Sequence, residues 1–374
     1  MHINQLVAIF VGEVMDIIGS INTRFLSKSE QSKKEIFNKI DNIVKGGGNI
    51  IRMNLSHGKH RDVECCIDYI RSNHKNVKIL LDLQGNKIRV ANNIYGTFKV
   101  NSGDLVYFCS EETYYAYLKN IDRNKLIPLN IKNKFIYNNT FKKIYMKDAT
   151  MEFIVISNNN GLIKTKVKLG GVVRKEKGCN LPNLDRKNWG VSEKDLEDIK
   201  FALDNKVDII DYSYCSYMEE CREFKNIVFK NLKSNQFIPK LWGKIETNEG
   251  INNIKEVAKE LDGIVIARGD LTAEIGILNV PIVQEKILYA LKNENKSIIV
   301  ATNVLSSIRN KQNKPTINEL SDIYHFIRCG ATGFMLTGET STGENEEYVV
   351  TTLKNSIKYY EKLLSKIKKR SKGV

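Results

Sequence analysis

GIVIARGDLTAEIGILNVPIVQEKILYALKNENKSIIVA (263–301) contains one complete strand–helix–strand unit. Its ends, GIVIA (263–267) and SIIVA (297–301), are short continuous apolar runs, and the segment 280–292 between them reads as a helix. Continuous apolar strands joined by helices indicate a parallel sheet buried on both faces. The rhythm extends outward in both directions. LVAIFV (6–11), NIIRM (49–53), VKILLDL (77–83), VDIIDYS (207–213) and PKLWGKI (239–245) precede the unit, and TGFML (332–336) follows it. Helical stretches at 30–45, 61–73, 192–204, 215–230, 316–328 and 345–364 alternate with these strands. Ser192 and Thr316 are the expected N-caps of their helices, with Asp195 and Glu319 three residues on. Eight such strands predict an α/β fold, a closed (β/α)8 barrel of the TIM type.

After the third strand the rhythm breaks. TFKVNSGDLVYF (97–108), KFIYNN (134–139), MEFIVIS (151–157) and LIKTKVKL (162–169) alternate between Gly- and Asn-rich turns, the pattern of a β-domain set into the barrel. The expected division is a barrel over 1–92 and 189–374 with an inserted small β-barrel domain over 93–188. A chain of 374 residues, 42% hydrophobic, suits a barrel of roughly 250 residues with a companion of about 100. Seven cysteines, with Cys65 adjacent to Cys66 and no CxxC, indicate neither a disulfide framework nor a zinc ribbon, so a reducing cytoplasm is expected. The apolar start MHINQLVAIFVGEVMDIIGS lacks a basic leader and carries Glu13 and Asp16, so it reads as a first strand. No run reaches the ~20 apolar residues that span a membrane. The net charge of +15 is spread over the whole chain among Asn and Ile residues, which argues against a nucleic-acid surface. Lys358 to Val374 reads as a basic terminal helix.

Barrel enzymes carry their chemistry where strands end and loops converge. RMNLSHG (52–58), DLQGNKIR (82–89), KGCNLP (177–182), KIETNEG (244–250), ARGDL (267–271), ATNVL (301–305) and LTGETSTGE (336–344) mostly lie at such ends. In this order and spacing they resemble the pyruvate kinase family, which carries a mobile β-barrel lid at the same insertion point. The resemblance covers almost the whole chain but none of the family's C-terminal regulatory domain, so control through that domain is not expected.

The resemblance implies a magnesium-dependent transfer of phosphoryl from phosphoenolpyruvate to ADP, giving pyruvate and ATP. Phosphoryl transfer needs positioning and positive charge around the moving group. Lys244 matches the family's catalytic lysine and Arg52 the arginine that holds the phosphoryl from another side. Taken alone, a lysine two residues before a glutamate would be an ion pair at the barrel rim. Glu246 and Asp270 match the ligands of Mg2+ or Mn2+, a hard cation that commonly takes one or two carboxylates. The turn Ala267, Arg268, Gly269 and Asp270 resembles the one whose backbone N–H groups receive the substrate carboxylate at a helix start. Thr302 resembles the threonine near C3 of the enolate, where it orders water or joins a proton relay. Thr337, in place of a serine, keeps a hydroxyl for the substrate.

For the nucleotide, the resemblance implies His57, Lys177, Arg89 and Asn54. Asn54, Ser56 and Asp82 resemble ligands of a monovalent cation. Lys87, with Leu83, stands where potassium-dependent relatives have a glutamate and a threonine, so its ammonium would take the place of that cation and K+ would not be required. Departures from the family pattern are NQLVAIFVGEV at the start, Asn86, Thr272, Asn303, Ser306 and MKDAT (146–150). They leave open two alternatives, a different phosphoryl acceptor and a non-catalytic paralogue that binds a ligand or partner. A homodimer through the barrel is compatible with either.

Overall fold

The computed structural model describes residues 14–56, 58–137, 141–147, 149–187, 189–234, 236–310 and 313–371. Eight strands close into one barrel: β1 (Asp16–Ile21), β2 (Ile50–Asn54), β3 (Lys78–Asp82), β4 (Ile209–Tyr212), β5 (Lys240–Ile245), β6 (Gly263–Ala267), β7 (Ser297–Ala301) and β8 (Gly333–Leu336). Each pairs in parallel with its sequence neighbours, and β1 pairs with β8 to complete the ring. Outside it lie helices α1 (Glu30–Gly46), α2 (His60–Asn73), α3 (Glu193–Asp204), α4 (Met218–Asn231), α5 (Arg268–Ile275), α6 (Val280–Leu291), α7 (Ile317–Cys329) and α8 (Glu346–Ser371). Ser192 accepts the Asp195 N–H, and Thr316 with Glu319 forms a complete capping box, as their spacing predicts.

The first strand is a correction. Residues 6–11 lie outside the described residues, and the barrel's first strand is DIIGSI (16–21). The alternation there sends Ile18 into the lumen and Ile17 and Ile21 toward the helices. Gly19 is required by close approach: a Cβ there would lie 2.5 Å from Ile43 Cγ2 of α1.

The insertion leaves after β3 and returns before α3. Its six-stranded sheet runs, in spatial order, Cys179–Asn180, Lys143–Met146, Met151–Asn159, Leu162–Leu169, Leu105–Ser110 and Leu126–Leu129, beside a pair formed by Phe98–Val100 and Gly171–Val173. Arg89 bridges to Gly178 at one edge and Val90 to Leu129 at the other, which curls the sheet toward closure. Its core draws on residues from Ile88 to Leu184 and is separate from that of the barrel.

Inside the barrel a layer of Ile18, Ile50, Leu80, Ile209, Trp242, Val265, Ile299, Ala301 and Met335 fills the lumen. The alternation that turns Ile50, Leu80, Ile209 and Trp242 inward does the same to Arg52, Asp82, Asp211 and Lys244 one layer higher. Asp211 is fully buried, and neither carboxyl oxygen has a hydrogen-bond partner. Burial first, and then the neighbouring Asp82, push its pKa well above the usual carboxylate range, against the pull of Lys244 and Arg52. The folded-state pKa therefore exceeds the unfolded value. The folded protein keeps a proton that the unfolded chain releases, so this group favours folding most below the unfolded pKa and less as pH rises toward the folded one. Asp211→Asn is expected to stabilise the protein at pH 7 to 8 by on the order of 1–3 kcal/mol. The gain should shrink toward pH 4, and thermal unfolding of both proteins across that range measures it. A pH-independent difference would contradict the assignment.

Candidate active site at the barrel mouth

Asp82, at the end of β3, is the centre of the mouth. It is fully buried, and its carboxylate accepts from Arg52 Nε at 2.8 Å, a second Arg52 nitrogen, Asn54 Nδ2 at 3.4 Å and Ser213 Oγ at 3.3 Å. Lys244 Nζ lies 3.0 Å from Oδ1 and 3.3 Å from Oδ2. Burial alone would raise the Asp82 pKa, but Arg52 and Lys244 outweigh it and hold the group ionised. The same exchange acts on Lys244, where burial is overcome by Asp82 and Glu246 and the ammonium stays charged. Arg52 also donates to Ser20 Oγ at 2.9 Å, so its guanidinium is fixed from β1 and β3 together. Sequence reading assigns Asp82 to a monovalent-cation region; here its charge is met by two cationic side chains. Asn54 completes a local turn through its Oδ1, which accepts the Ser56 N–H at 2.7 Å.

Glu246 directly follows β5 and Asp270 lies in the first turn of α5 after the neighbouring β6, and each carboxyl acts on the charge of the other. Glu246 is 2% exposed; its Oε1 is 3.6 Å from Lys244 Nζ and its Oε2 accepts the Tyr214 N–H at 2.8 Å. Burial pushes its pKa to about 7, opposed by Lys244 and reinforced by Asp270. Asp270 goes the other way: burial would raise it, but Lys87 and Lys244 hold it well below the usual range. The Lys87 ammonium sits 3.1 and 3.2 Å from the two Asp270 oxygens. Tyr214 Oη and Asn180 Nδ2 donate to Oδ1 at 3.2 and 3.5 Å. Two close carboxylates, Glu246 buried and Asp270 partly buried, suit a hard divalent cation. Among the described residues no group of three or more His, Cys, Asp or Glu side chains forms such a site, so this pair would share the ion with substrate and water oxygens.

Thr302 and Asn303 both have positive φ, 73° and 55°. That conformation is costly for a β-branched residue and persists only where the surroundings impose it. Arg268 does so: its guanidinium donates to the Thr302 carbonyl at 2.7 and 3.0 Å and to the Asn303 carbonyl at 3.0 Å, and it pairs with Asp322. The Arg268 side chain therefore supports the Thr302 turn, while its backbone begins α5. A Cβ on Gly269 would lie 3.3 Å from Thr302 Cγ2, which brings Ala267–Asp270 and Thr302 together. Glu339, buried after β8, accepts the Val304 N–H at 2.9 Å and the Thr337 N–H at 3.0 Å, tying the last two strand ends to each other.

A cleft of about 550 Å3 between mouth and insertion is lined by Arg24, Lys87, Arg89, Lys147, Arg174 and Lys177, with Lys244 and Glu246 at its floor. Arg89 donates to the Glu176 carbonyl at 3.2 Å while its buried Nε has no partner. Burial lowers the Lys177 pKa, and Lys147 and Arg174 lower it further. Lys177 itself donates to Met151 Sδ at 3.5 Å and to the Val172 carbonyl. Like charges so gathered are relieved by an anion. His57 lies outside the described residues. Arg24, Lys147, Arg174, Asp211 and Tyr214 escape the sequence reading. The signal for the last two was present, since both sit at the C-terminal end of β4 in VDIIDYSYC (207–215).

Comparison with known proteins identifies the family. The family model described as pyruvate kinase, barrel domain, matches residues 17–350, beginning on β1, so NQLVAIFVGEV (4–14) lies ahead of the match. Pyruvate kinase of Clostridium perfringens is 33% identical over 306 residues, covering 80% of this chain and 62% of the relative. That of Candida albicans is 31% identical over 338 residues, covering 88% and 65%, and that of Staphylococcus epidermidis 29% over 338, covering 87% and 56%. The chain thus spans less than two thirds of the length of these relatives. With the barrel, the insertion after β3 and a family match over most of its residues, the chain belongs to the pyruvate kinase family.

Proposed function

We propose that the chain is a phosphotransferase of the pyruvate kinase type, which moves phosphoryl from phosphoenolpyruvate to ADP and depends on Mg2+ or Mn2+. The observation that carries this reading is the placing of Lys244 and Arg52, both on Asp82, beside the Glu246–Asp270 pair at the floor of a cation-lined cleft. Asp82 holds both cations in place, so their charge is already aimed when the phosphoryl group moves. Glu246 and Asp270 would hold the divalent ion, which when bound neutralises oxygen charge on the substrate. The N–H groups of Ala267 to Asp270 would receive the substrate carboxylate, and Thr337 would support it. Thr302, held by Arg268, would order the water or relay that protonates C3 of the released enolate. Asn54, Arg89, Lys177 and His57 are assigned to the nucleotide, joined by Lys147 and Arg174 on the cleft wall. A non-catalytic paralogue would have no need of a buried charge cluster, which is costly unless fully compensated. A homodimer through the barrel, where Ile277, Leu278, Ile282 and Tyr289 stand exposed, and a cytoplasmic location complete the proposal. Among the described residues no helix is long and apolar enough to cross a membrane.

A coupled assay on the purified chain with phosphoenolpyruvate, Mg2+ and a panel of nucleoside diphosphates tests the reaction and separates ADP from other acceptors. Lys244→Met is expected to lower turnover by on the order of 10²–10³. A variant as active as the parent would refute the assignment.

The proposal includes independence from K+. Asp82 is already satisfied by Arg52 and Lys244, and Lys87 supplies a further fixed cation on Asp270. Activity in tetramethylammonium chloride should therefore equal that in KCl at matched ionic strength, a condition needed because screening alone changes anion capture by a +15 chain. Lys87→Glu with Leu83→Thr should create a dependence on K+. Specific activation of the parent by K+ would overturn the reading.

A further inference from the structure

Both carboxylates of the candidate cation site are held by one residue outside it. Tyr214 follows β4 in the loop over the mouth, is 1% exposed and has φ +61°. A bulky side chain adopts this left-handed backbone only where its neighbours impose it. Here they do. The Cys215 N–H donates to the Lys244 carbonyl at 3.1 Å, and Ser216 Oγ donates to the Tyr214 carbonyl at 3.0 Å and meets Thr247 Oγ1 at 2.8 Å. Asn253 Nδ2 donates to the Ser216 carbonyl at 2.9 Å. From the other side, the β3 loop comes so close that a Cβ on Gly85 would lie 2.4 Å from the Ser213 carbonyl oxygen.

In that conformation the two polar ends of Tyr214 serve different carboxylates. Its N–H donates to Glu246 Oε2 at 2.8 Å and its O–H to Asp270 Oδ1 at 3.2 Å. The ring is braced by the Arg186 guanidinium, 4.8 Å from its centroid, and by the Lys87 ammonium at 5.9 Å. We infer that Tyr214 is a positioning residue that sets the spacing and orientation of Glu246 and Asp270 for a divalent cation, through its main chain to one and its hydroxyl to the other. The inference rests on the reading of those two carboxylates as cation ligands. Close carboxylates repel, and each would turn away from its partner unless a donor fixed it. A hydroxyl or amide N–H uses one lone-pair position of an oxygen and leaves the others for a metal ion. Lys87, the other short-range partner of Asp270, is itself a cation and competes with the metal. Asn180 donates at a longer 3.5 Å. The Tyr214 hydroxyl is thus the close neutral donor compatible with an occupied site.

The hydroxyl is the separable half, because Tyr214→Phe keeps the ring, the left-handed backbone and the N–H bond to Glu246. The experiment titrates the full chain with Mn2+ and reads the free aquo ion by electron paramagnetic resonance, for the parent, Y214F and D270N, after a cooperative melt of each without metal. Y214F should weaken Mn2+ binding by about 10-fold, the lower end of what outer donors to metal ligands contribute. D270N should weaken it more. Parent-like binding by Y214F, with D270N weakened, would overturn the role of Tyr214 and leave the ligands standing. Binding that D270N does not change would overturn the ligand assignment and this inference with it.

Discussion

Everything at the mouth of this barrel hangs on the buried carboxylate of Asp82. It stands on a strand whose other inward residue is apolar, and it is charged only because Arg52 from β2 and Lys244 from β5 reach it across the lumen. Remove either cation and a buried charge is left uncompensated; remove Asp82 and two cations repel at close range. The three form a minimum set, and each fixes the rotamer of the others. Glu246 and Asp270 take their positions relative to Lys244, and the basic cleft opens above. The barrel supplies what such a set needs, which is rigid strand ends and a dry floor of apolar side chains below.

The fold was legible from its strands because parallel strands buried on both faces leave continuous apolar runs, and seven of the eight expected runs coincide with barrel strands. The eighth failed for a physical reason. LVAIFV (6–11) is more apolar than DIIGSI (16–21), yet the barrel strand is the one whose glycine admits α1 and whose Ser20 faces Arg52. Apolarity ranks candidates for burial; it does not record which neighbours will approach. At the site, charged residues at strand ends were readable one at a time. Their partners were not. That Arg268 holds the Thr302 turn, or that Tyr214 serves two carboxylates, depends on dihedral angles and on loops far apart in sequence, such as 213–216 and 246–253.

Charge balance gives the site a preferred state. Glu246, with its pKa near 7, holds a proton for part of the time when the cation is absent, while Asp270 remains ionised against Lys87. In the proposed role a divalent ion would displace that proton, and its capture would release protons near neutral pH. The opposite directions of the two carboxyls, close together and in a shared environment, go with the distance of the ammonium facing each: Lys87 is 3.1 Å from Asp270, whereas Lys244 is 3.6 Å from Glu246, whose close donor is an amide N–H.

The hydrogen bonds joining the two ends of the insertion bear on how the chain reaches this structure. The Val90 N–H donates to the Lys177 carbonyl and the Cys179 N–H to the Ile88 carbonyl, each near 2.9 Å, so the insertion begins and finishes at one point. β3 and β4 are adjacent in the barrel yet separated in sequence by the whole of it. Were the insertion an open coil, β3–β4 pairing would be the longest loop closure between consecutive barrel strands. Folded first around its own core and zipped at its neck, it leaves the barrel only the short run from β3 to the neck and the α3 segment from the neck to β4, a connection comparable to those between other barrel strands. By the logarithmic law that lowers the closure cost by about 1 kcal/mol. The order of events that follows is small domain first, ring second, with the β3–β4 seam no slower to form than its neighbours.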